Sequence, residues 1–125
     1  MRYLLDTNAI LLYAQGNNDL SQKAKTIMES EKCFYSMASF WEIAIKQKLG
    51  KLDNNLTAFE LEELCKNAGF VKLPTKSKYV EHTKSLDFIH RDPFDRLLIS
   101  IAQSENLTIV TRDTIIPKYD VETVW

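Results

Sequence analysis

Apolar positions along this chain alternate between short runs and helical stripes. Arg2 to Leu5 is a compact run that stops at Asp6, and Asn8 to Ala14 reads as the start of a helix. Leu20, Ala24, Ile27 and Met28 recur at helical spacing, and Cys33-Phe34-Tyr35 predicts a second strand. Ser36 closes it, a residue type that caps helix amino-termini. Beyond it Trp41, Ala44, Ile45, Lys48 and Leu49 fall at i, i+3, i+4, i+7 and i+8, with Gly50 as a stop. Leu61, Leu64, Cys65 and Ala68 repeat that spacing before Gly69, and Phe70 to Leu73 predicts a third strand ended by Pro74. Tyr79 to Leu86 predicts another helix. The plainest helix begins at Asp92-Pro93, with Asp at the cap and Pro in the first turn. Phe94, Leu97, Leu98, Ile101 and Ala102 then form one stripe. Thr108 to Thr111 and Val121 to Val124 predict the last two strands.

Strands that alternate with helices predict a parallel sheet covered on both faces, an α/β/α sandwich with right-handed crossovers. Ligands in such sheets collect beyond the carboxyl ends of strands, where strand order reverses. Asp6 and Asp113 both lie at such ends. A length of 125 residues with 45% hydrophobic content predicts one domain over residues 1–125. The apolar run after Arg2 is broken by Asp6 and Asn8, so it lacks the uninterrupted stretch of a signal peptide or membrane span. A cytoplasmic protein with no membrane partner is the expectation. Cys33 and Cys65 form no C-x-x-C and read as small buried hydrophobes; His82 and His90 match no helical zinc spacing.

Candidate chemistry rests on four acids, each at the rim of or inside an apolar segment: Asp6, Glu42, Asp95 and Asp113. Each has a structural reading. Asp6 can cap the helix near Asn8, Asp113 can cap a turn around Thr114 to Pro117, and Asp95 can meet the positive end of its helix. Glu42 can pair with Lys46 at i, i+4 for ~0.2–0.5 kcal/mol. The neighbours of Glu42 are nearly all apolar, however, and a desolvated carboxylate needs a partner or a cation. Two carboxylates about 4 Å apart repel by ~1 kcal/mol in water and ~4 kcal/mol at an effective dielectric near 20. Four together call for a cation or protonation. Oxygen ligands favour Mg²⁺ or Mn²⁺ over zinc, and such an ion points to phosphodiester hydrolysis. A net charge of −1 shows no basic excess, but with those four acids set aside, the 16 Lys and Arg outnumber the rest of the 17 acids.

Four segments carry a resemblance: Leu4-Leu5-Asp6-Thr7-Asn8, Ser39 to Lys46, His90 to Ile99, and Val110-Thr111-Arg112-Asp113. In this order, through the whole chain, they resemble PIN-domain proteins, specifically the VapC-like toxins of toxin–antitoxin pairs. The resemblance implies a five-stranded, mostly parallel sheet and a Mg²⁺- or Mn²⁺-dependent ribonuclease site on Asp6, Glu42, Asp95 and Asp113. It also implies an RNA substrate, a cognate antitoxin that inserts a peptide across the acidic pocket, and a homodimer. Asn8, Ser39 and Thr111 match polar positions near the family's metal site; capping, back-bonding within a helix and strand propensity are their structural readings. Lys46 and Arg96 either contact phosphate or balance the acidic cluster. Asp92 is read as the helix cap.

Three other classes fit the chain less well. A receiver domain needs an acidic pair after strand one and a central Asp after strand three, where this chain has a lone Asp6 and Lys72-Leu73-Pro74. A dehalogenase-type phosphatase needs a second Asp where Asn8 stands. A module that binds RNA or antitoxin without turnover leaves the quartet unexplained.

Overall fold

A computed structural model describes residues 1–125. The elements follow in the order β1 (Arg2–Leu5), α1 (Thr7–Gln15), α2 (Gln22–Ser30), β2 (Lys32–Ser36), α3 (Met37–Lys48), α4 (Ala58–Asn67) and β3 (Val71–Leu73). Then come α5 (Ser77–His82), a 3₁₀ turn (Thr83–Ser85), α6 (Pro93–Glu105), β4 (Thr108–Val110), a second 3₁₀ turn (Ile116–Lys118) and β5 (Thr123–Val124). The five strands form one parallel sheet in the order β3-β2-β1-β4-β5. This is the expected α/β/α sandwich.

Alternation along each strand builds the layers, because successive side chains point to opposite faces. Tyr3, Leu5, Cys33, Tyr35 and Val110 pack with α1, α2, α3 and α4 in one core. Leu4, Phe34 and Ile109 pack with α5 and α6 in the other. Strand order reverses at the centre: β1 leads to β2 on one side and β4 lies on the other. The sheet therefore has its switch point between β1 and β4. A receiver-type sheet runs 2-1-3-4-5 with its third strand central, whereas β3 here is an edge strand, so that alternative falls on topology.

The helix starts follow the expected caps. Ser36 accepts from the Ala38 amide, and Asp92 accepts from the amides of Phe94 and Asp95. Gly50 sits at φ +71°, the left-handed conformation that favours glycine at a helix end. Three details differ from the sequence reading. Helix Tyr79 to Leu86 ends at His82 and tightens into a 3₁₀ turn, whose Thr83 carbonyl is taken by the Arg96 guanidinium. The last strand begins at Thr123, not Val121. In α3 the stripe of Trp41, Ala44 and Leu49 faces outward, while Ser39, Phe40, Glu42 and Ile43 are buried. Phe40 stacks on Tyr35 of β2 at 5.3 Å between ring centroids, which fixes the inward face and leaves Trp41 65% exposed.

Candidate active site

Beyond the ends of β1 and β4 lies a cleft of about 370 Å³, lined by Asp6, Glu42, Asp95 and Asp113 together with Thr7, Asn8, Lys46, Asp92 and Arg112. All four predicted acids reach it, each from a different part of the fold. Leu5 pairs with Val110, and the Asp6 amide donates to the Val110 carbonyl at 3.2 Å, so the two strands deliver Asp6 and the Thr111-to-Asp113 segment side by side. α3 contributes Glu42 and the first turn of α6 contributes Asp95.

Capping and clustering prove compatible. Asp6 caps α1 with Oδ1, which accepts from the Ala9 amide at 2.8 Å, while its Oδ2 takes the Thr111 hydroxyl. Asp113 caps its turn with Oδ1, accepting from the amides of Ile115 at 2.7 Å and Ile116 at 2.9 Å. Its Oδ2 lies 3.4 Å from His90 Nε2. Glu42 is only 5% exposed and is held from both sides. The Thr7 hydroxyl donates to Oε1 at 2.7 Å and Lys46 Nζ reaches Oε2 at 2.9 Å.

Electrostatics divide the acids. Burial pushes the Asp6 carboxyl up, against the bonds from Thr111 and the Ala9 and Asn8 amides. Burial also pushes Asp95 up, to about 7, and the neighbouring Asp92 charge adds to it. For Asp113 burial acts in the same direction but is outweighed by the Ile116 and Ile115 amides and by His90, so its carboxyl sits below the ordinary range. Lys46 is raised, first by its bond to Glu42.

Of the supporting residues, Asn8 lines the cleft, and the Thr111 hydroxyl both donates to Asp6 and accepts from the Asp113 amide at 3.0 Å. Ser39 is buried in a small hollow shared with Thr7 and Asp95. Lys46 stands at the rim. Arg96 does not line the cleft: its guanidinium donates to the carbonyls of Thr83, Leu86, Asp87 and His90. Three lining or contacting residues were not picked out from sequence. Thr7, His90 and Arg112 lie inside the segments that carry the resemblance without a role of their own there. His90, Asp95 and Asp113 offer ligand atoms within 4.8 Å of one another.

The donor set suits a hard divalent cation. The four acids offer carboxylate oxygens, Asp6 and Glu42 are buried, and Asp6 and Asp95 are driven toward neutrality by their surroundings, a cost that a cation relieves.

The PIN domain family matches residues 3–122 of the sequence. The chain belongs to the PIN domain family. Solved structures share this PIN fold over nearly their whole length. VapBC2 from Rickettsia felis, bound to a promoter DNA fragment, aligns with a TM-score of 0.70 at 14% identity, covering 99% of this chain and 98% of that one. FitAcB from Neisseria gonorrhoeae aligns at 0.67 and 19%, covering 98% and 96%. A toxin–antitoxin complex from Klebsiella pneumoniae aligns at 0.66 and 18%, again covering 98% and 96%. A search of curated proteins by sequence finds no match. No helix of this PIN domain is long and apolar enough to cross a membrane.

One consequence of the acid pairing is directly measurable. Asp92→Asn keeps an N-cap of equal quality but removes the charge beside Asp95. The Asp95 midpoint is expected to fall, read from its carboxyl ¹³C resonance across pH, with the melting temperature nearly unchanged. An unmoved midpoint would leave the shift to burial and to the Glu42 and Asp113 charges.

Proposed function

We propose that this PIN domain, taken as one unit over residues 1–125, is a Mg²⁺- or Mn²⁺-dependent endoribonuclease and the toxin of a toxin–antitoxin pair, acting in the cytoplasm. The observation that carries the reading is the convergence of Asp6, Glu42, Asp95 and Asp113 on one cleft at the switch point of the sheet. Family membership supports the nuclease class, and the similarity to toxin–antitoxin complexes supports the biological role.

Asp6, Glu42, Asp95 and Asp113 would hold the ion. When bound, it makes water nucleophilic at neutral pH and offsets phosphate charge. The protein's own groups do the remaining work. Thr7, Thr111 and the amides of Ala9, Ile115 and Ile116 hold the Glu42, Asp6 and Asp113 carboxylates in one orientation each. Burial and the Asp92 charge raise the Asp95 carboxyl to about 7, and a bound cation would favour its ionised form. Lys46 and Arg112 stand at the cleft with partly exposed side chains, placed to meet the phosphodiester backbone of an RNA strand. The same acidic cleft suits a basic side chain from an antitoxin peptide. Trp41 and Phe94, ring to ring at 5.4 Å beside the cleft, form the apolar face on which a second copy would pack to make the homodimer.

Purified protein with Mg²⁺ or Mn²⁺ is expected to degrade total cellular RNA, and Asp6→Asn or EDTA is expected to stop it. Cleavage that persists unchanged in the variant and in EDTA would sink this reading.

A further inference from the structure

His90 is buried just before α6 and has a polar partner at both ring nitrogens. Its Nδ1 accepts from the Asp92 amide at 3.3 Å. An amide can only donate, so in the neutral ring Nδ1 carries no proton and Nε2 does. Nε2 faces Asp95 Oδ2 at 2.9 Å and Asp113 Oδ2 at 3.4 Å. The ring is therefore a donor between two carboxylates from different elements, and in this tautomer its Nε2 has no lone pair to offer a metal.

The loop that carries His90 is pinned from behind. The Tyr119 hydroxyl accepts from the amides of Ile89 at 3.1 Å and His90 at 2.7 Å and donates to the Asp87 carbonyl at 2.7 Å. Arg96 spans the same loop with bonds to the carbonyls of Thr83, Leu86, Asp87 and His90, between 3.0 and 3.2 Å. Phe88 covers the guanidinium, its ring centroid 4.5 Å away. Arg96 follows Asp95 directly in α6, so one turn of helix supplies both a carboxylate and the anchor of the group that orients it.

We propose that His90 is a positioning residue, which tethers the Asp95 and Asp113 carboxylates through its Nε2 proton, and that Arg96 with Tyr119 holds it in place for that task. The inference rests on the metal-site reading above and adds residues outside the acidic quartet. It explains why a charged residue beside the cleft spends its donors on loop carbonyls. Without the tether, Asp113 would still be held by the Ile115 and Ile116 amides, but Asp95 would lose its link to it, and the ion would have to bring the two together on binding.

The test has two parts. Long-range ¹H–¹⁵N spectra of the metal-free protein, which has two histidines, are assigned with His90→Gln and report the ring tautomer directly. The Nε2-protonated form is expected; an Nδ1-protonated ring overturns the tether. Titration of Mn²⁺ by calorimetry is then compared among wild type, His90→Ala, His90→Gln and Tyr119→Phe. His90→Ala is expected to weaken binding by about 10–100-fold with a nearly unchanged melting temperature. His90→Gln restores an N–H near the Nε2 position and is expected to recover most of the loss. Tyr119→Phe is expected to weaken binding in the same direction, and to add little when combined with His90→Ala. Should His90→Ala bind Mn²⁺ as wild type does while Asp6→Asn does not, the tether is wrong and the metal site stands. If the wild type binds no Mn²⁺, the metal-site reading fails and the tether with it.

Discussion

Asp95→Asn is expected to raise the melting temperature of the metal-free protein above pH 7 while abolishing RNA cleavage. The stability half follows from the direction of the pKa shift. Burial, then the Asp92 charge, lifts the Asp95 carboxyl from 3.8 to about 7 in the folded protein. The folded state thus holds this proton more tightly than the unfolded chain does. Its contribution is full below about 3.8 and is lost as pH rises through about 7. Asparagine carries no charge to bury, so the decline over that window is expected to flatten. It should not vanish, because Asp6 is shifted in the same direction. A gain of about 1 kcal/mol corresponds to roughly 3–5 °C in a chain of this size. Cleavage should suffer far more: in the proposed metal site Asp95 is a direct ligand, whose loss is expected to exceed the roughly 10–100-fold attributed to a residue that only supports one. Scanning calorimetry with EDTA at several pH values and an RNA cleavage assay check both halves. A variant that melts lower than wild type at pH 8 would mean that Asp95 is there for the fold. Added Mn²⁺ should raise the wild-type melting temperature and leave the variant's nearly unmoved.

That opposition between stability and chemistry shows what the sequence could carry. Element order was legible because a helical stripe and a short apolar run differ in period, and the parallel sheet followed from their alternation. The acids were legible because each broke an apolar pattern. Their structural alternatives looked like rivals to a place in the cleft, yet Asp6 and Asp113 combine the two, capping with one oxygen and turning the other toward a neighbour in the cleft. A carboxylate has two oxygens, and sequence logic that assigns one job per residue misses this. Which side of α3 faces the sheet was not legible, since Phe40 and Trp41 are both apolar and only the Tyr35 ring in β2 decides between them. His90 was hidden for a different reason. Its place depends on Tyr119, 29 residues further along, and no local pattern links the two. Arg96 was read as a partner for phosphate or for the acids, and its position one residue after Asp95 invited that; the carbonyls of the loop claim it instead.

Thr111→Val separates a site role from strand propensity. Valine matches threonine in shape and favours a strand at least as well, so if Thr111 serves only the backbone the substitution should be silent. The structure gives the hydroxyl two duties at a position 3% exposed. It donates to Asp6 Oδ2 and accepts from the Asp113 amide at 3.0 Å, so it joins the ends of the two central strands through two residues of the cleft. Removing it leaves a buried carboxylate short of a donor, at a cost of about 1.5–3 kcal/mol where the partner is charged. Burial would then act on Asp6 with less opposition, and its carboxyl should titrate still higher. The penalty is expected to grow as rising pH ionises Asp6 and to shrink as acid neutralises it. Mn²⁺ affinity should fall by about 10–100-fold, because the carboxylate loses its orientation along with its donor. Thr111→Ser restores the hydroxyl without the methyl and should recover the affinity. Urea melts at pH 5 and 8 with Mn²⁺ titrations decide it: a valine variant as stable and as tight as wild type at pH 8 would return Thr111 to the strand.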